Sequence, residues 1–262
     1  MGLLRELFQR EDRPGPGVSP DEPRKKRLRR LWEVCTRDLA GFFWAGLIAL
    51  LGTTPWIFLT GWAMAGRALA AVALAGAVGG LIAAPELCAL ADLLLRGLRD
   101  EPFYWWRTWR KAWRNNLRVC LLPGAALGML AALDLFVLQL VLTGSSAPGA
   151  LLGAVAGLLV LAGLTPYLLA QLVLFAQPLG RSVKNSFLLL AACLPRSLGA
   201  AVILLGYAAL TALFPPFSYL LLILANLWLP MAAALLAIYK PMEQILDLER
   251  QIQTVQEARR TK

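Results

Sequence analysis

A chain of 262 residues that is 58% hydrophobic and only 16% charged is too apolar for a soluble domain of its size. Its net charge of +10 comes with no histidine, which removes the usual general base, the commonest zinc ligand and every Ser-His or Cys-His pairing. There is no Gly-x-x-x-x-Gly-Lys-Ser/Thr phosphate loop and no carboxylate pair at helical spacing within an apolar run, so the inventory predicts no enzyme, no metal and no cofactor.

Residues 1–38 read as a cytoplasmic N-terminal segment. Leu3, Leu4, Leu7 and Phe8 share one helical face, the pattern of a short helix resting on a membrane or packing beneath a bundle. The stretch Asp12-Arg13-Pro14-Gly15-Pro16-Gly17-Val18-Ser19-Pro20-Asp21-Glu22-Pro23 follows, too rich in proline and glycine for a helix and therefore extended. The first apolar run starts only near residue 39, so no cleavable signal peptide is expected and the first span serves as its own signal.

Six apolar runs occupy 39–64, 70–95, 119–143, 148–176, 195–214 and 215–239. Each reaches the roughly 20 residues that a helix needs to cross about 30 Å of hydrocarbon. The predicted fold class is all-α: a six-span transmembrane bundle over 39–239 with interfacial amphipathic helices, and a cytoplasmic amphipathic helix over 240–262. Of the 26 Lys and Arg residues, all but Arg67 lie before the first run, between the second and third, between the fourth and the first turn of the fifth (Arg181 to Arg196), or after the sixth. The intervening turns, Thr143 to Gly149 and the Phe214-Pro215-Pro216 corner, carry no charge. The positive-inside rule then puts both termini in the cytoplasm, and the expected location is a plasma membrane.

Between the second and third runs, Trp105, Trp106, Trp109, Trp113 and Leu117 fall on one arc at about 100° per residue, with Arg107, Arg110, Lys111, Arg114 and Arg118 on the adjacent one. That pattern predicts an interfacial helix on the inner leaflet. Indole rings favour the headgroup boundary, and each cation adds roughly 1 kcal/mol of attraction to anionic lipid. The alternative is a docking surface for a cytosolic partner. Nucleic acid is not expected, because single-strand binders do not tether such a surface to membrane spans at both ends. A shorter echo, Lys111-Ala112-Trp113-Arg114-Asn115 against Arg181-Ser182-Val183-Lys184-Asn185, hints at duplicated hairpins.

Within the spans, Glu86 and Asp134 must face the bundle interior, since an unpaired carboxylate in hydrocarbon costs a few kcal/mol or more; both are candidates for conduction or proton coupling. Asn226, Gln139 and Gln171 are read as cross-helix hydrogen bonders. Asp92 and Arg96 form an i, i+4 pair, and Arg67 snorkels outward. Pro55, Pro85, Pro123, Pro166, Pro195 and Pro230 are expected to break or kink the spans, Thr165-Pro166 above all. Cys35, Cys88, Cys120 and Cys193 show no Cys-x-x-Cys spacing and read as reduced packing residues. Toward the end, Ile245, Leu248, Ile252 and Val255 make an a/d seam of under two heptads.

The Asp12-Arg13-Pro14-Gly15-Pro16-Gly17 lead, the acidic-Pro-basic stretch through Lys26, and Trp106-x-x-Trp109-x-x-x-Trp113-x-x-Asn116 after Glu101 resemble the YesL-like family of bacterial membrane proteins. The family's Gly-Pro-Ala step corresponds to Ala84-Pro85-Glu86, which keeps Pro85 but neither the Gly before it nor the small residue after it, so close helix packing there is in question. The resemblance covers residues 8–118 and beyond that only the number of spans. It implies no reaction. It suggests by association an accessory role beside a carbohydrate-uptake transporter complex, against the alternative of a small-solute transporter or channel using Glu86 and Asp134.

Overall fold

In a computed structural model, residues 28–246 are described, apart from 102, 145, 146, 148 and 176. The Asp12–Gly17 lead, the Leu3–Phe8 face and the seam beyond Ile245 lie outside the described residues. Among those described there are nine helices and no strand: α1 (Leu28–Arg37), α2 (Leu39–Ala65), α3 (Leu69–Leu98), α4 (Trp105–Leu142), α5 (Gly149–Leu174), α6 (Leu179–Ala192), α7 (Leu194–Leu213), α8 (Phe217–Ala225) and α9 (Trp228–Leu246). Five of them, α2 to α5 and α7, are long and apolar enough to cross a membrane, and α8 with α9 makes a sixth candidate, bent by 66°. Such helices are consistent with a multi-pass membrane protein.

Local chemistry places the breaks. Asp38 separates α1 from α2 and caps the latter, its carboxylate accepting from the Gly41 N–H at 3.2 Å. Arg67 and Asp100 take left-handed φ of 52° and 61° in the turns that follow α2 and α3. The prolines behave differently from the sequence expectation. Pro55, Pro85, Pro123 and Pro166 all sit inside helices that run on past them, and Thr165 hydroxyl donates to Leu161 C=O at 2.7 Å with no unwinding. The broken span is the last one, at Asn226, where φ is 30°. Asn is among the few residues that tolerate a positive φ, and its amide serves both sides of the break: Oδ1 accepts from the Trp228 N–H that opens α9 at 3.1 Å, and Nδ2 donates across to Phe43 C=O of α2 at 3.2 Å. Gly46 of α2 makes room, since a Cβ there would run into the Asn226 amide.

α3 is the central helix, packed against α2, α4, α5 and α9. Its contact with α4 is a ladder of small residues in antiparallel register: Gly76 opposite Ala132, Gly80 opposite Gly128 and Gly124, and Ala84 opposite Gly124. Cys88 and Cys120 meet one turn further on. A Cβ on Gly76 would lie 2.5 Å from that of Ala132, so the backbones approach closely. Pro85 sits beside this ladder without loosening it, which resolves the packing question raised by Ala84 and Glu86.

The buried core is lopsided. The end of the bundle that carries the basic turns holds a cluster joining Val34, Phe42, Leu90, Leu94, Leu98, Trp109, Tyr167, Leu189, Trp228, Leu235 and Met242. The far end buries only Ala63, Val72, Ala132 and Phe136 as a second cluster. Counting about 20 residues from the far turns ends a span near position 89 on α3 and 122 on α4. In a bilayer of that thickness the larger core would continue past the hydrocarbon, into helix extensions that cover one another.

Candidate functional site

The distinctive residues converge at this basic end, around the α3–α4 turn. Asp100 is its keystone: its side chain is 3% exposed and receives two guanidinium groups from α1. Arg30 Nη2 donates to Oδ2 at 2.5 Å, Arg37 Nη1 bonds Oδ1, and Arg30 also donates to Leu98 C=O at 3.0 Å. Burial alone would raise the Asp100 pKa, but these two arginines outweigh it and hold the carboxyl below its ordinary range. Arg96 bonds Asp92 at 2.9 Å and Glu101 at 3.2 Å, and Arg99 Nε bonds Glu101 at 2.9 Å. The Asp92–Arg96 pair was legible in the sequence. The Arg30–Asp100 clasp was not, because its partners lie 70 positions apart.

These acids divide the cations into two sets. Arg30 and Arg37 hold α1 against the turn, and Arg96 and Arg99 are consumed by Asp92 and Glu101 within α3 and the turn itself. Arg107, Arg110, Lys111, Arg114 and Arg118 of α4 are all exposed, and Arg110, Lys111, Arg114 and Arg118 have no ion pair among the described residues.

The aromatic arc beside them corrects the sequence reading. No separate interfacial helix forms, because α4 runs unbroken from Trp105 to Leu142; no glycine or proline interrupts Asn115-Asn116-Leu117-Arg118-Val119, and Asn116 bonds back to Ala112 C=O within the helix. The indoles turn toward the protein's own core rather than toward lipid. Trp109 is 8% exposed and stacks on Trp106 with centroids 5.5 Å apart. Trp105, Trp106 and Trp113 pack against the main cluster, and Asn116 bonds its own helix through Ala112 C=O at 2.9 Å.

Trp113 Nε1 donates to Glu86 Oε1 at 3.0 Å, while Glu86 Oε2 is buried without a hydrogen-bond partner. Glu86 also presses on α2, for a Cβ on Gly52 would strike its Cγ. Asp134 is elsewhere. It lies over Gly157 of α5, ten residues beyond Gly124 on α4, whereas Glu86 is two residues beyond Ala84, the residue facing Gly124. The two acids are therefore separated by about 18 Å along the bundle. Of the amides, Asn226 bonds across helices as expected, but Gln171 Oε1 accepts from Gln177 in the following turn at 2.6 Å and Gln139 Oε1 has no partner.

Fold and site together define a class: an all-helical chain with the long apolar helices of a multi-pass membrane protein and a packed, basic-faced extension at one end. Comparison with models of known families, with curated proteins and with solved structures finds no match.

Proposed function

We propose that this chain is a non-enzymatic accessory or scaffold protein of a bacterial plasma membrane, crossing it six times with both termini in the cytoplasm, and that it docks a membrane transporter complex through the basic face of α4. The observation that carries the reading is the division of cations: four are locked in ion pairs, and four more on a rigid helix have no acid to answer them. The α4 stretch before position 119 rises about 20 Å, further than a headgroup layer of some 5–8 Å on each side. Arg114 and Arg118 are within reach of anionic lipid; Arg107, Arg110 and Lys111 stand beyond it and face a protein partner. The resemblance to the YesL-like family, by its association with carbohydrate uptake, points to a sugar importer as that partner. The distance between Glu86 and Asp134 supports docking over a conduit built from these two acids.

The test is co-purification in mild detergent after chromosomal tagging. A stoichiometric membrane partner is expected with the wild-type chain and is lost when Arg107, Arg110 and Lys111 are all changed to Glu. Liposomes containing the protein should pass no sugar, cation or proton gradient. Flux abolished by Asp134→Asn, with no partner ever recovered, would overturn the proposal in favour of transport.

A further inference from the structure

We propose that the groove between the far halves of α4 and α5 receives one transmembrane helix of another protein, held by a Lys or Arg that pairs with Asp134. The site requires α4 and α5 to cross a membrane and does not depend on what the basic face of α4 binds.

Counting back from Leu142 at the end of α4, Asp134 lies about 12 Å below the far turn, inside hydrocarbon about 30 Å thick. Its side chain is too short to reach that surface. It is partly exposed, and it makes no hydrogen bond or ion pair among the described residues. Arg67, the one cation of the far end among those residues, sits in the α2–α3 turn, at the surface and not at this depth. An acid inside a membrane is stabilised by pairing with a cation, and here the cation has to come from outside the chain.

The surroundings of Asp134 suit a helix as its carrier. The carboxyl rests on Gly157, where a Cβ would strike it. Gly149, Gly153, Ala156 and Gly157 fall within about 100° of the α5 circumference; the first three are exposed, and a Cβ on Gly153 would meet nothing within 4 Å. On α4, Leu130, one turn from Asp134, is 45% exposed. Small residues let a second backbone come close, which is how helices associate in lipid, and the approach sets the guest's side chain beside the carboxyl. A second copy of this chain does not meet the need, because it brings an acid and no cation to that depth.

The probe is a synthetic leucine–alanine transmembrane peptide with one Lys about eight residues from one end, the depth of Asp134, together with its twin bearing Leu in that place. Association with labelled protein in phosphatidylcholine liposomes is read by energy transfer. The Lys peptide should bind about tenfold more tightly than its twin, the weight of a good polar contact in lipid. Asp134→Ala should erase that preference, and Gly153→Leu, which fills the floor of the groove, should weaken binding of the Lys peptide. Glu86→Gln, which alters the other acid within the spans, should leave both unchanged. Should Asp134→Ala fail to fold, Gly153→Leu carries the test alone. Equal binding of the two peptides to the wild type, or Lys-peptide binding that is undiminished in a folded Asp134→Ala or Gly153→Leu variant, overturns the site. Energy transfer between two labelled copies of the protein that disappears in Asp134→Ala assigns the groove to self-association and overturns the foreign helix.

Discussion

Asp100 shows how one side chain organises this end of the molecule. Its left-handed backbone closes the α3–α4 turn while its carboxylate draws in Arg30 and Arg37 from α1. Removing one member of a buried pair strands the others, so Asp100→Ala should cost about 3–5 kcal/mol, read as a lower unfolding midpoint in detergent. The pH dependence follows from the depressed pKa. The carboxyl is harder to protonate in the folded than in the unfolded chain, so its stabilisation is complete above about pH 4, the unfolded value. It is lost as pH falls through the lower folded value. Asp100→Asn should be less stable near neutrality and lack that acid-dependent loss. Glu86 makes a contrast: Trp113 needs only an acceptor, which the Gln carbonyl provides, so Glu86→Gln should shift stability by less than about 1 kcal/mol. The cysteines give a third expectation. Burial pushes the Cys35 thiol up to about 11, which keeps it protonated at neutral pH and unreactive, and Cys88 and Cys120 are enclosed. Maleimide should modify Cys193 first in the native protein, as mass mapping would report, and equal labelling of all four would contradict the packing. Little of this was visible in the residues alone, because partners distant in sequence leave no local signature.

At the scale of elements, the long apolar helices were legible and their interruptions were not. Proline was weighted as a breaker at Thr165-Pro166, yet a helix in such packing tolerates one missing N–H. The actual break falls at a residue able to adopt positive φ, to accept from a freed N–H and to tie the corner to α2, and Asn226 does all three. The Trp/Arg pattern over 103–118 was expected as a separate interfacial helix but is the start of the continuous α4, and its indoles pack on the protein's own cluster, since periodicity reports that a face is apolar and not what covers it. The α3–α4 ladder could have been found: Gly76, Gly80, Ala84 and Cys88 recur at four-residue steps, as do Cys120, Gly124, Gly128 and Ala132. Gly80→Leu should destabilise by about 1–3 kcal/mol or more through overpacking. Gly153→Leu, where nothing lies within 4 Å, should be tolerated. Paired thermal melts would compare them, and equal sensitivity at both positions would rule the ladder out as a structural determinant.

For the molecule as a whole, the sequence correctly set one chemical end against the other but gave no hint that packing density follows the same division. At the far end, apolar side chains such as Phe58, Trp62 and Leu213 are 73%, 80% and 72% exposed; in a membrane, lipid covers them. The basic end supplies its own cover through α1, α6, α9 and the α4 extension. Accessibility labelling of reporters placed at both termini tests the proposed orientation, with cytoplasmic reaction expected at each.

The unbroken course of α4 has a mechanical consequence. Because the ladder fastens it to α3 from Ala132 to Cys120, the pair behaves as a single stiff beam. A partner that tugs on Arg110 cannot simply fold its end of the helix over at the membrane surface.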